Sequence, residues 1–311
     1  MNVKSLKIFC DVAGRRSFSQ GAAENGITQS CASQVIRGLE NSLGIRLIDR
    51  SRRPLALTPE GRVYYEGCCK LVQGYFSLEE QIRGLQQEHD VEGRVRVASI
   101  YSIGIVYGMP LVEAFRKRYP RATVHLEYHH PDRVYSLVWE NQADLGLVSY
   151  PQSSRKHGIE HWRDEPLILV CSPRHELAHR KRRLTIANLG GLQTIGFARE
   201  LRMRRRMDHD LAKLGVALDV VMEFDNIDTI KQAISVNSGA GILPQPTVSG
   251  ELRDGTLVRV DVEGLDLSRP LGIVYRRGVE LSRTAREFLR LIHGEADSAF
   301  AVSGGAGEGK R

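Results

Sequence analysis

Between Thr28 and Arg37 the chain places hydrogen-bonding side chains at spacings that fall on one side of a helix. Ser30, Ser33, Gln34 and Arg37 share that side, with Gln29 near the helix start. None of them is apolar, and Gln and Arg can each make paired hydrogen bonds to the edge of a base in the major groove of a duplex. The opposite side carries Ala32, Val35, Ile36 and Leu39, a stripe that must face a core. Either Thr28 or Ser30 can act as N-cap. Because a recognition helix usually meets the bases near its start, Thr28 also belongs among the candidate contacts.

An ordinary small helix with a solvated face would show the same pattern, so the residues after Leu39 have to separate the two readings. From Gly44 to Leu57 the chain reads as a short strand pair around Arg50, Ser51, Arg52, Arg53 and Pro54, a basic tip where a wing would meet phosphates. Residues 1–58 hold nine Lys or Arg against four Asp or Glu. Such cations bind phosphates by displacing counterions, which gives affinity without sequence information. Arg50, Arg52 and Arg53 are therefore candidates for holding a duplex while the helix reads it. Upstream, Leu6, Phe9, Val12 and Phe18 supply cover for a three-helix core, and Asn25-Gly26 supplies the turn.

The stretch from Leu6 to Gly61 resembles the winged helix of the LysR-type transcriptional regulators. Phe9, Ser17-Phe18-Ser19, Ala22, Thr28-Gln29, Ser33, Leu39-Glu40, Leu43-Gly44, Leu47, Arg50 and Leu57-Thr58-Pro59-Glu60-Gly61 carry the likeness. Gly21 and Asn25 depart from it, standing where Ala and Leu are usual, as does Ser30 where Pro is frequent. The resemblance continues weakly over the rest of the chain, through the order of its elements and the stretch from Asn237 to Pro244. It implies promoter DNA as partner, a homo-oligomer (dimer or tetramer), RNA polymerase as a further contact, and a small-molecule effector held by the C-terminal domain.

Composition agrees with this reading. The 311 residues, 41% apolar with a net charge of +7, suffice for two or three domains with cores, and the excess charge suits nucleic acid or another acidic partner. No charged start leads into an apolar signal segment, and no apolar run approaches the ~18 residues of a membrane span. Five cysteines, odd in number and without zinc-like spacing, fit a reduced cytoplasmic protein.

From Pro59 to about His89 the sequence predicts one long linker helix, with Thr58 as N-cap. Tyr64, Cys68, Leu71, Tyr75, Leu78, Ile82 and Leu85 follow in steps of four and three, a coiled-coil seam. A helix lying on its own C-terminal domain is the other reading of that seam; the family resemblance implies pairing with a second copy.

Beyond Val91 strand-like runs (Arg94–Ala98, Thr123–Tyr128, Asp144–Ser149, Leu167–Cys171, Leu192–Phe197, Asp219–Phe224, Leu257–Val262, Leu271–Tyr275) alternate with helical ones (Ile103–Tyr119, Arg202–Leu214, Ile227–Val236, Leu281–His293). The fold class is therefore α/β: a winged helix-turn-helix over 1–58, a linker helix over 59–89 and an effector domain over 90–296. By resemblance the last is a two-subdomain, periplasmic-binding-protein-like unit, with about 92–165 plus 268–294 in one half and about 166–267 in the other. A tail over 297–311, rich in Gly, Ala and Ser, is expected to be disordered. Pockets in such sheets lie beyond strand carboxyl ends, which points to Ser99, Tyr101, Ser102, His129, Arg199 and Arg202. Hydroxyls and guanidinium groups near a helix N-terminus suit a carboxylate, sulfate or related oxyanion. Ser99 could instead cap a helix, and the arginines after Arg199 could be a solvated face.

Other chemistry lacks residues. His125, His129 and His130 have no companion ligands at metal-binding spacing. Cys171 and His175 lack a third orienting group, and no nucleotide-binding glycine loop occurs, so no cofactor is expected. The competing reading is a soluble α/β ligand-binding or enzymatic protein whose N-terminal segment is a helical dimerisation module.

Overall fold

A computed structural model describes residues 2–86, 91–180 and 182–303. Helices α1 (Val3–Arg15), α2 (Phe18–Ala23) and α3 (Gln29–Leu43) are followed by a wing, β1 (Ile48–Asp49) and β2 (Ala56–Leu57), and by the long helix α4 (Pro59–Gln86). Each of the first three helices starts on a side-chain cap: Asn2, Ser17 and Thr28 accept from the amides of Ser5, Gln20 and Cys31. Those amides would otherwise lack a partner. Leu6, Phe9, Val12, Ala22, Ala32, Ile36, Leu39 and Leu47 close one core. Val35 and Phe18 are only half-buried at its edge.

Packing explains two departures from the family pattern. A Cβ on Gly21 would stand 2.5 Å from Val12 Cα, so α2 can lie this close to α1 only with glycine there. Asn25 donates to Asp11 Oδ2 and to the Gly21 carbonyl, both at 2.8 Å, and accepts from Lys7 Nζ at 2.9 Å. A satisfied polar network thus stands where an apolar side chain is usual. The Leu57-to-Gly61 turn is locked in the same way. A Cβ on Gly61 would lie 1.9 Å from the Leu47 carbonyl oxygen, while Thr58 Oγ1 accepts from the Gly61 amide at 2.9 Å.

Helix α4 corrects part of the heptad reading. Tyr65, Cys68, Cys69 and Val72 complete the core of the winged helix, and Tyr64 stacks 5.5 Å from Phe9. Cys68 and Tyr64 therefore serve their own domain, because α1 lies along the first turns of α4 and covers that flank. Leu71, Tyr75, Leu78 and Ile82 are left exposed, by 66%, 43%, 55% and 53%. The side chain of Leu85 lies outside the described residues.

The C-terminal region begins with β3 (Gly93–Ile100), α5 (Tyr101–Ile103), a π turn at Gly104–Gly108, α6 (Met109–Arg118), β4 (Ala122–His129), α7 (Pro131–Trp139), β5 (Leu145–Ser149) and β6 (His157–Cys171). It continues with β7 (Leu184–Thr185), β8 (Gln193–Phe197), α8 (Arg202–Lys213), β9 (Asp219–Phe224), α9 (Ile227–Ser235) and β10 (Gly241–Pro244). The last elements are α10 (Ser249–Asp254), β11 (Val258–Val260), β12 (Val262–Glu263), β13 (Ser268–Arg276) and α11 (Arg283–Ser303). A seven-stranded sheet has the order β10-β6-β13-β5-β3-β4, with β11 also beside β6. A separate parallel pair, β8 and β9, supports the second half of the region.

Two cores flank the long antiparallel pair β6–β13. One gathers Val95, Val97, Phe115, Leu145, Leu147, Ile273 and Phe288; the other gathers Leu169, Ile195, Met207, Leu211, Ile230, Ile234 and Leu243. Several elements differ from expectation. Strand β6 starts ten residues early, at His157, because its first half has β13 as its partner and alternates polar with buried side chains. The helix expected over Ile103–Tyr119 is broken by the π turn, where Gly104 and Gly108 lie against Tyr128 and Leu126. The tail expected from Asp297 is helical to Ser303, since α11 continues; residues 304–311 lie outside the described ones.

Candidate DNA interface and effector cleft

Thr28 caps α3 with its hydroxyl, which bonds the Cys31 amide at 3.2 Å and lies 2.9 Å from Ser30 Oγ. Gln29, Ser30, Gln34 and Arg37 are exposed and Ser33 is half-buried. No bond within the domain ties the Gln34 or Arg37 side chain, which leaves both available to a duplex. In the wing, β1 and β2 pair Ile48 with Leu57 and Asp49 with Ala56. Arg52 is 73% exposed and touches Asp49 at 3.3 Å, and Arg53 is exposed beside it. Hydrogen bonds from Ser51 hold the Asp49 carboxyl below its ordinary range, so an anion sits beside Arg52.

Arg50 has a different setting. Its guanidinium bonds Glu40 Oε2 at 2.9 Å and lies 5.4 Å from the centre of the Phe18 ring. Glu40 Oε1 in turn accepts from the Leu47 and Ile48 amides at 2.9 and 3.2 Å. Arg50 thus clamps the wing to α2 and α3, a role that its place in the basic tip did not reveal.

In the C-terminal region a cavity of about 250 Å³ opens between the two cores. The segment after β3 supplies Tyr101 and Ser102, the end of β4 supplies His129, and the start of α8 supplies Arg202. Helices α7, α8 and α9 all begin at this cavity, and neither α7 nor α8 has a side-chain cap. Their first turns therefore offer amides and positive dipole ends to an anion. Arg202 Nη1 is buried with no hydrogen-bond partner among the described residues, and its guanidinium lies 5.5 Å from the centre of the Tyr135 ring. His129 Nε2 lies 3.0 Å from Glu127 Oε2. The bond to His129, together with one to His125, holds the Glu127 carboxyl below its ordinary range. An acid, Asp225, stands at the exposed rim.

Two sequence-predicted cleft residues are elsewhere. Ser99 is fully buried inside β3 and donates to the Ile100 carbonyl at 3.0 Å. It precedes the strand end by one residue, and strand alternation turns it away from the cavity. Arg199 is 78% exposed and paired with Glu223 at 2.9 Å, outside the cavity lining. Sequence reasoning missed Arg269, which lines the cavity floor at 1% exposure. Its Nε donates to Glu165 Oε2 at 2.7 Å and its Nη1 to Ser102 Oγ at 2.9 Å. Tyr107 donates to the other Glu165 oxygen at 2.7 Å. Arg269 and Glu165 are direct cross-strand partners where β13 crosses β6. Lone charges at the ends of the apolar runs Leu271–Tyr275 and Leu167–Cys171 were the only available signal.

Residues 3–62 match the family model "Bacterial regulatory helix-turn-helix protein, lysR family", and residues 88–297 match "LysR substrate binding domain". The chain belongs to the LysR family. It is a DNA-binding transcriptional regulator that responds to a small-molecule effector and works as an oligomer, not an enzyme. The reading as an α/β enzyme with a dimerisation module falls away. The RuBisCO operon transcriptional regulator of Allochromatium vinosum is 26% identical over 296 residues, covering 95% of this chain and 97% of that protein. Full-length OxyR from Pseudomonas aeruginosa superposes with a TM-score of 0.74 at 17% identity, covering 95% of this chain and 94% of that one. The CcmR regulatory domain of Synechocystis PCC6803, solved in complex with 2-PG, has a TM-score of 0.59 at 25% identity and covers 66% of this chain and 98% of that one.

Proposed function

We propose that this LysR-family regulator reads promoter DNA with Gln29, Ser30, Ser33, Gln34 and Arg37, holds the phosphates with Arg52 and Arg53, and takes a small oxyanion as effector in the cleft between its two C-terminal cores. Arg50 contributes to holding through its clamp on the wing. Since its target is chromosomal promoter DNA, its place of action is the cytoplasm. The oligomer is built through the exposed part of the α4 seam.

One observation carries the choice of an anion. Arg202 Nη1 is buried at the cleft without a partner, and a guanidinium donor removed from water is costly unless an acceptor meets it. Ser102, His129 and the starts of α7 and α8 surround the same space with donors. The likeness to a domain solved with 2-PG supports the same class of ligand.

Titration of the full-length protein on its promoter with 2-PG and with small dicarboxylates tests the reading. An effective anion is expected to change the DNA footprint of the parent and of Arg199→Ala, and to leave that of Arg202→Ala unchanged. The anion assignment is wrong if Arg202→Ala responds like the parent at the same concentration.

A further inference from the structure

A second cavity, of about 460 Å³, lies between the winged helix and the first half of the C-terminal region and shares no residue with the effector cleft. Its two sides come from different domains. Arg16, at the end of α1, and Arg62, in the first turns of α4, belong to the DNA-binding side; Lys156 and Arg276 belong to the C-terminal side. The seam around it is packed, since Tyr65 donates to the Glu140 carbonyl and Gln142 to the Gly14 carbonyl.

Arg276, the last residue of β13, is 5% exposed, yet its Nε and Nη1 have no hydrogen-bond partner among the described residues. Its guanidinium stands 4.8 Å from the centre of the Trp139 ring, and Lys156 Nζ stands 4.3 Å from the same centre. Two cations on one ring repel each other, and a ring face accepts neither's hydrogen bonds fully. The Cys69 thiol is a weak acceptor nearby. Hydrogen bonding from Cys10 first, and also from Tyr65 and Arg276, holds it below the ordinary thiol range against the opposing effect of burial. Two carboxylates, Glu66 and Glu140, line the cavity as well. Glu140 is already shared between Arg133 at 3.4 Å and Arg16 at 3.9 Å. Four cations therefore face two acids, and the most deeply buried cation lacks an acceptor.

We propose that this seam is a second anion site, in which a phosphate or carboxylate group, free or carried by a small metabolite, is held by Arg276 and Lys156 from one domain and by Arg16 and Arg62 from the other. Because the ligand would touch both domains, its binding would fix the posture of the DNA-binding unit against the C-terminal region. Such a site couples the metabolic state to DNA geometry independently of the cleft.

Thermal unfolding of the full-length protein tests the site, with inorganic phosphate, glycerol 3-phosphate and succinate as probes and chloride at matched ionic strength as control. At least one probe is expected to raise the unfolding midpoint saturably. Arg276→Met and Arg62→Ala are each expected to weaken that response roughly tenfold or more, as loss of a charge-assisted bond should. Arg202→Ala is expected to retain it. Comparing phosphate with its ester and with succinate tells which source of oxyanion the site prefers. Arg62 is exposed, so Arg62→Ala keeps the test valid if Arg276→Met fails to fold. Absence of any saturable shift beyond chloride overturns the proposal. So does a shift that persists in the seam variants, or one that disappears only in Arg202→Ala and so belongs to the cleft.

Discussion

At the scale of single residues, similar arginines do different work according to what surrounds them. Arg37 projects from α3 without a partner in its own domain, Arg52 extends from the wing at 73% exposure, and Arg50 is tied to Glu40 at 2.9 Å. Arg37→Ala should therefore narrow the gap between operator and random DNA, costing about 1–3 kcal/mol on the operator alone. Arg52→Ala should weaken both DNAs alike and flatten the dependence on salt. Fluorescence anisotropy with the two duplexes at several salt concentrations separates these outcomes, and an unchanged operator preference in Arg37→Ala would remove it from the reading face. The reading face was legible because exposed polar residues opposite an apolar stripe obey the helical period. The clamp made by Arg50 was not, since Phe18 and Glu40 meet it only after the wing has folded back.

At the scale of elements, α4 shows how one periodic pattern is divided between two partners. Its first turns give Cys68, Cys69 and Val72 to the winged-helix core, and the following turns leave Leu71, Tyr75, Leu78 and Ile82 in water. Exposed apolar rows of this kind seek another surface. Leu78→Glu is expected to shift the protein toward monomer, because the charge would have to be desolvated against a second helix. Lys70→Glu, off the row, should leave the mass unchanged. Light scattering with a parent-like mass for Leu78→Glu would show that α4 does not hold the oligomer together. Cys68 cannot report on this equilibrium, being buried in its own domain whether or not a second copy is bound.

At the scale of the whole molecule, the two halves of the C-terminal region are joined by strands β6 and β13, and their crossing carries the Glu165–Arg269 pair, each residue 1% exposed. Removing one member of a buried pair strands the other's charge. Arg269→Met should lower stability by about 3–5 kcal/mol, and adding Glu165→Met should restore much of it. Urea unfolding of the single and double variants checks this, and a single variant as stable as the parent would mean the pair is not holding the crossing. Through Ser102 the same arginine reaches the cleft at 2.9 Å, so the joint between the halves is also part of the effector site's floor.

By itself the sequence determined the features that depend on local spacing and composition. The reading helix follows from the stripe Ala32-Ile36-Leu39, the wing from a basic tip between short apolar runs, and the α/β alternation from runs such as Asp219–Phe224, which is a strand over those same residues. Tertiary structure alone decided whatever depends on residues far apart in the chain. Glu165 and Arg269 are 104 positions apart, and only the antiparallel register of β6 and β13 makes them neighbours. Ser99 and Arg199 stand near strand ends as a cleft residue would, yet the side on which each chain leaves its strand turns the first into the sheet and the second outward to Glu223. Arg276 reads as one more basic residue at the end of a strand. Its lack of acceptors exists only because the winged helix packs over it, since desolvation is a property of the assembled seam and not of any segment.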